Sequence, residues 1–240
     1  MILRDIYKLL NQISDFTLQE DWDNSGVQVG SLNQTIEKIY LSLDITTELV
    51  SKMDENSLLI THHPLVFKPL SSVVEEEFPS NLIYPLIAKK SAHIAMHTNF
   101  DKTHLNKYVV EQVLGYKVFE LDEFIIYFEV RKNFDEFCDD IKKKLGIKNL
   151  NVVKNTKFVD IAAITTGSGA SLQQDVKVDC FLTGDIKYHD AMLACEMKKS
   201  LIDIKHYESE IFFAKCLQKE LKNYEIEGII SNSKNPFIGR

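Results

Sequence analysis

Blocks of apolar residues alternate with polar stretches along the first half of the chain. Residues 2–13 read as an amphipathic helix, followed by a polar, turn-rich loop, Asp21-Trp-Asp-Asn-Ser-Gly26. Short apolar runs at 39–43, 58–61 and 92–96 predict strands, with helices between and after them at 46–53, 81–90 and 104–114. Strands alternating with helices at this spacing are the pattern of a mostly parallel sheet covered by helices. From about residue 121 the texture changes. A strand-like run at 124–130 precedes a helix at 134–145, and further strands are expected at 159–165 and 180–182, with a helix from 187 to 199.

The expected organisation is therefore α/β, with two lobes. The first comprises 1–120 plus 205–240 and carries the candidate ligands; the second, 121–204, is inserted into it. No Pro- or Gly-rich linker marks either junction.

Composition narrows the function classes. A chain of 240 residues with 45% apolar content can pack a core. Acidic residues number 35 against 28 basic ones, a net charge of −7, which argues against general nucleic-acid binding. The start, Met1-Ile-Leu-Arg-Asp-Ile, carries charges where a secretory signal needs an unbroken apolar stretch, and no segment is apolar enough to span a membrane. A cytoplasmic location is expected, with Cys138, Cys180, Cys195 and Cys216 as reduced thiols. The sequon at Asn33 reads as accidental there.

Candidate chemistry gathers where the strands end. Thr61-His-His-Pro64 directly follows one apolar strand, and open α/β sheets bind ligands at the carboxyl ends of their strands. Neighbouring residues in extended chain point in opposite directions, so His62 and His63 suit two nearby ions better than one; alternatively they are a polar loop pair. A second strand ends at His97, and Asp101 follows four residues later, as a ligand or as a helix N-cap stabilising by ~1 kcal/mol. His206-Tyr-Glu-Ser-Glu210 puts an imidazole and a carboxylate on one face of a helix, as chelators or as an exposed first turn. Glu208 faces elsewhere, and His93 and His104 read as structural. Together these clusters form a mixed N/O set that, divided between two divalent ions, leaves positions open for water or substrate. Such donors accept zinc, iron, manganese, cobalt or nickel.

Other segments have double readings. Gly167-Ser-Gly169 could cradle an anion with its amides or merely reverse the chain. Asp185 and His189 could line the same cleft, or Asp185 could cap the helix that follows. Lys142–Lys144 reads as a solvated helix face.

Trp22-Asp-Asn-Ser-Gly26-Val-Gln-Val-Gly30, Thr61-His-His-Pro64, His97-Thr-Asn-Phe-Asp101, Gly167-Ser-Gly169, Thr183-Gly-Asp185 and His206-Tyr-Glu-Ser-Glu210 occur in order over nearly the whole length. With them the chain resembles a short bacterial member of the GTP cyclohydrolase 1 type 2 family, also called the Nif-three-like family. The resemblance implies a dinuclear site in the cleft between two α/β lobes with mostly parallel or mixed sheets. Its ligands fall on His62, His63, Asp101, His206 and Glu210, the last able to bridge, with His97 beside the metals. It also implies a toroidal homohexamer. One departure is Lys205, where the family usually has glycine.

The implied activity is hydrolytic opening of the guanine imidazole ring of GTP, giving formate and 7,8-dihydroneopterin triphosphate. No residue is assigned as the general acid or base. Nothing in the sequence reads guanine, and the cations flanking the ligand motifs are Lys68, Lys102, Lys187 and Lys205. Two other readings compete: a metal-binding scaffold or metal-handling protein, and a dinuclear phosphoesterase. The second is disfavoured because the first strand ends Asp44-Ile-Thr46, without the histidine of a D-x-H motif.

Overall fold

The computed structural model describes residues 1–231 and 233–238. The chain forms two compact units, Met1–Phe100 with Phe212–Arg240, and Asp101–Ile211. These limits differ from those expected at 120/121 and 204/205, and they put Asp101, His206 and Glu210 on the second unit. Among the described residues, no helix is long and apolar enough to cross a membrane.

The first unit is built on a five-stranded sheet. Its strands are β1 (Gly26–Val29), β2 (Lys38–Ser42), β3 (Ser57–Thr61), β4 (Ala92–Ala95) and a terminal strand, Ile229–Ile230. The order is β1, β4, β3, β2, terminal strand, and only the β1–β4 pair is antiparallel. All five residues of β3 and all four of β4 are buried, as expected of parallel strands covered on both faces. Register then does the positioning. Ser42 pairs with Thr61 and Thr61 with Ala95, so β2, β3 and β4 end at one level. The residues that follow them, Asp44, His62–His63 and His97, therefore leave the sheet along one edge.

Helices Thr47–Lys52 and Ser80–Ala88 pack Leu49, Val50, Leu82 and Leu86 against Tyr40 and Leu59 of the sheet. Thr46 starts the first of them, its hydroxyl accepting from Leu49 N at 3.2 Å. Helix Leu3–Ile13 buries Leu3, Ile6 and Leu10, the three- and four-residue spacing of one helical face.

The second unit has a six-stranded mixed sheet of β5 (Val118–Asp122), β6 (Ile125–Asn133), β7 (Asn151–Val153), β8 (Phe158–Ile164), β9 (Cys180–Thr183) and β10 (Ser200–Asp203). Its order is β5, β6, β8, β9, β10, β7. The neighbours β8, β9 and β10 are parallel, with Ile164 beside Leu182 and Asp203 beside Thr183. Here too three strand ends align, sending loops 165–169, 183–185 and 204–206 off one edge.

Helix Phe134–Leu145 buries Phe134, Phe137, Ile141 and Leu145 and stops at Gly146, whose φ of 70° suits a glycine C-cap. Lys144 departs from the solvated-face expectation. It donates to the carbonyl of Leu114 and stands 4.7 Å over the Tyr116 ring. The short strands β1, β5, β7 and β10 were not among the expected elements. Four of the five residues of β5 are exposed, and the other three strands have only three or four residues each, too few for an alternation to stand out.

Candidate metal centre

In the first unit three imidazoles converge. His62, His63 and His97 each offer a ring nitrogen within 4.8 Å of the others. His62 and His63 leave the end of β3, and His97 leaves the end of β4. Each ring is held through Nδ1. The His62 Nδ1 is 2.8 Å from the carbonyl of Met96, that of His63 is 2.6 Å from Asp44 Oδ1, and that of His97 is 2.8 Å from Asp23 Oδ1. A carbonyl can only accept, so Nδ1 of His62 carries the proton and Nε2 presents a lone pair; a carboxylate partner favours the same tautomer. This is the usual way an outer hydrogen bond orients a metal-binding histidine and raises its basicity.

The supporting carboxylates are themselves anchored. Asp44 accepts from the Ser233 hydroxyl at 2.8 Å. Asp23 accepts from Thr98 N at 3.1 Å, from the Thr98 hydroxyl at 2.5 Å and from the Ser25 hydroxyl at 3.1 Å. Burial works against ionisation of Asp23, yet the hydrogen bond and charge of His97, with Thr98 and Asn24, hold its carboxyl well below the usual range. Beneath the cluster His93 is fully buried, and burial pushes its pKa down to about 3. Its Nε2 lies 2.7 Å from the Thr61 hydroxyl, which donates its own proton to the carbonyl of His63 at 2.6 Å. His93 thus braces the turn after β3 as a neutral ring, the structural role expected of it.

In the second unit His206 and Glu210 lie on the short helix His206–Glu210, with Nε2 and Oε2 2.9 Å apart. Nδ1 of His206 is 2.7 Å from Asp185 Oδ2. The Glu210 hydrogen bond is the main cause of a His206 pKa raised to about 9; burial opposes it, and the charges of Glu210 and Asp185 add to it. Asp101 and Glu210 offer carboxylate oxygens within 4.8 Å of each other.

A chain of hydrogen bonds sets that spacing. Asn106 donates to the Asp101 carbonyl at 3.3 Å, and its own oxygen accepts from Thr166 N and Oγ1, both at 2.7 Å. Gly167 N donates to the Ser209 hydroxyl at 3.0 Å, which donates to the His206 carbonyl at 2.8 Å. Two glycines make this packing possible. A Cβ on Gly167 would meet Glu210 Oε1 at 2.0 Å, and one on Gly184 would meet the Gly167 carbonyl at 2.4 Å and His206 N at 2.8 Å. At Lys205 the backbone has φ 61° and ψ 156°, a region essentially reserved for glycine. The expected departure from the family pattern is thus a strained lysine, its ammonium paired with Asp203.

Several double readings resolve. The chain is already helical at Thr98, so Asp101 sits one turn inside the helix and is not its N-cap. The amides of Gly167 and Gly169 go to Ser209 and Thr183 hydroxyls and are not free to cradle an anion. Asp185 orients His206, while Asp190 accepts from Lys187 N to start the next helix. His189 is exposed and belongs to none of the candidate donor groups among the described residues. Of the flanking cations, Lys102 pairs with Glu123 at 2.7 Å and Lys205 with Asp203. Asp23 and Asp44 escaped sequence reasoning as supports. Asp44 follows a strand end, as the histidines do, and that position was its signal.

A model of the family Duf34/NIF3 (NGG1p interacting factor 3) matches residues 1–236. A Campylobacter jejuni protein named GTP cyclohydrolase 1 type 2 homolog is 46% identical over 238 residues, 99% of each chain. A Helicobacter pylori protein named GTP cyclohydrolase 1 type 2 is 41% identical over 238 residues, 98% of each chain. The crystal structure of Staphylococcus aureus protein SA1388 superposes with a TM-score of 0.86 at 27% identity, covering 100% of this chain and 99% of that one. With a family model matching almost its full length and relatives above 40% identity, the chain belongs to the Duf34/NIF3 family.

Proposed function

We propose that this chain is a dinuclear, divalent-metal-dependent hydrolase with His62, His63, Asp101, His206 and Glu210 as ligands, Glu210 bridging and His97 beside the ions. The observation that carries this reading is shared by four histidines in two units: Nδ1 of each is held by an oxygen, so Nε2 is the ring atom turned toward an ion, and in His206 that atom exchanges its contact with Glu210 for one. A histidine kept only for packing has no need of this arrangement. Bound divalent ions would supply an activated water at neutral pH and polarise the electrophile. The chain's own part is to keep the rings in one tautomer through Asp44, Asp23, Asp185 and the Met96 carbonyl. It also holds the Glu210 carboxylate in the space Gly167 leaves open. His97, its Nδ1 held by Asp23, keeps its place beside the ions.

The most specific substrate is GTP, attacked at C8 of its guanine ring with release of formate; the names of the relatives support it. A homohexameric assembly belongs to the same proposal. The exposed apolar side chains of Leu70, Val73, Val74, Phe78 and Ile87 are consistent with subunit contacts.

The test pairs metal analysis of the purified protein with formate release from GTP, before and after chelation. Two equivalents of metal and chelator-sensitive formate are expected. Glu210→Gln should lose at least one ion while folding normally, and two full equivalents in that variant would end the bridging role. Asp44→Asn should weaken metal binding about 10- to 100-fold through His63. Two metals with no formate would favour a metal-binding scaffold or metal-handling protein.

A further inference from the structure

We infer that Trp22 and Phe67 form a stacking face for a planar heteroaromatic ring, the base of a nucleotide substrate, beside the histidine cluster of the first unit. The inference rests on the hydrolase reading and adds the element that reading lacks, a surface able to recognise a base.

Single exposed aromatics are ordinary, but two that touch form a contiguous apolar patch, the kind that marks a binding surface. Trp22 is 59% exposed and Phe67 41% exposed, yet both sit on backbone that is tied down. Asp23, next to Trp22, accepts hydrogen bonds from Thr98, Ser25 and the His97 ring. Val66, next to Phe67, donates to Gln28 Oε1 at 3.0 Å and accepts from Asn24 Nδ2 at 2.5 Å. The two rings are therefore carried on one hydrogen-bonded frame, and rigid aromatics bind at low entropic cost.

Their placement points to the histidines. Trp22 meets the His97 ring edge-on at 6.2 Å and 78°, and Phe67 does so at 6.4 Å and 81°. The rings of Trp22 and Phe67 are 6.0 Å apart and inclined at 58°. That is too close and too tilted for a third ring to slide between them. A ligand would lie on the open face of Trp22 with its edge against Phe67, next to the imidazole cluster. Asn24 and Gln28 spend their amides on the loop, so recognition here is by the π-face, which every base possesses.

Trp22 is the only tryptophan in the chain, so its emission reports this site alone. In the purified, assembled protein acrylamide should quench it. Guanosine monophosphate should quench it saturably, and ribose 5-phosphate should leave it unchanged. Phe67→Ala should weaken the guanosine monophosphate response about tenfold with metal content unchanged. Trp22→Leu should raise KM for GTP more than it lowers kcat.

Emission shielded from acrylamide would mean a neighbouring subunit covers the face, which overturns the inference. Equal responses to the two phosphates, or none to either, would overturn it as well. Quenching by guanosine monophosphate without formate release from GTP keeps the stacking face and removes the hydrolase reading. Formate release with KM unchanged in Trp22→Leu does the reverse.

Discussion

In the first unit His62 and His63 leave the end of one buried strand and meet His97 from the next, whereas in the second unit His206 and Glu210 lie one turn apart on a five-residue helix. The first arrangement depends on strand register: had β4 paired one residue out of step with β3, His97 would point to the opposite face of the sheet. The second is nearly local, because residues four apart on a helix share a face, but its surroundings are not. Glu210 fits only because three loops approach within contact of one another at Gly167 and Gly184. One unit thus brings rings together by sheet geometry, and the other takes a histidine–glutamate pair set by local helix spacing and makes room for it.

The largest expected effect breaks the second arrangement alone. Gly167→Ala would place a methyl group on Glu210 Oε1 at a backbone φ of +64°. The variant should lose about 2 kcal/mol or more of stability and the metal ligation that depends on Glu210, leaving the His62, His63 and His97 cluster intact. Urea midpoints and metal stoichiometry measure both. Full metal content with normal stability would show that the loop yields easily and that the cradle is not a constraint.

The next effect sharpens the contrast through pH, in chelated protein. His93 in the first unit is pushed down to about 3, below its ordinary value of 6.5. The unfolded chain therefore takes up a proton between those values that the folded chain refuses, and stability falls as pH drops from 6.5 toward 3. The slope is at most about 1.4 kcal/mol per pH unit. His206 in the second unit is raised to about 9 by Glu210. Its contribution is fully present below 6.5 and is lost as pH rises through 9. His93→Gln should flatten the acid limb of the stability profile and His206→Gln the alkaline limb. Profiles that superpose on the parent's would show that neither histidine carries the linkage.

The smallest effect concerns the turn into His206. Lys205→Gly removes a side chain from a backbone conformation suited to glycine, against which stand the flexibility that glycine adds to the unfolded chain and the lost pairing with Asp203. A net gain of about 1 kcal/mol is expected from urea unfolding, with the His206–Glu210 geometry unchanged. A loss of stability would mean that the contact with Asp203 outweighs the strain.

Much of this was legible in the sequence. The apolar runs of β2, β3 and β4 mark strands because parallel strands bury both faces, and the helix at Phe134–Leu145 shows its buried face at regular spacing. The ligand candidates stood out as donor residues directly after those runs, and the ordered motifs were enough for the family. What the tertiary structure decided is everything that joins residues far apart in the chain. Asp44 supports His63 across 19 residues, Asp185 supports His206 across 21, and Asp23 supports His97 across 74. Short strands such as β7 exist only because a neighbour supplies their hydrogen bonds. Periodicity and i,i+4 spacing are properties of a single segment and can be read along the chain. Tautomers, cradles and pairing depend on which segments register side by side, and only the folded sheets set that.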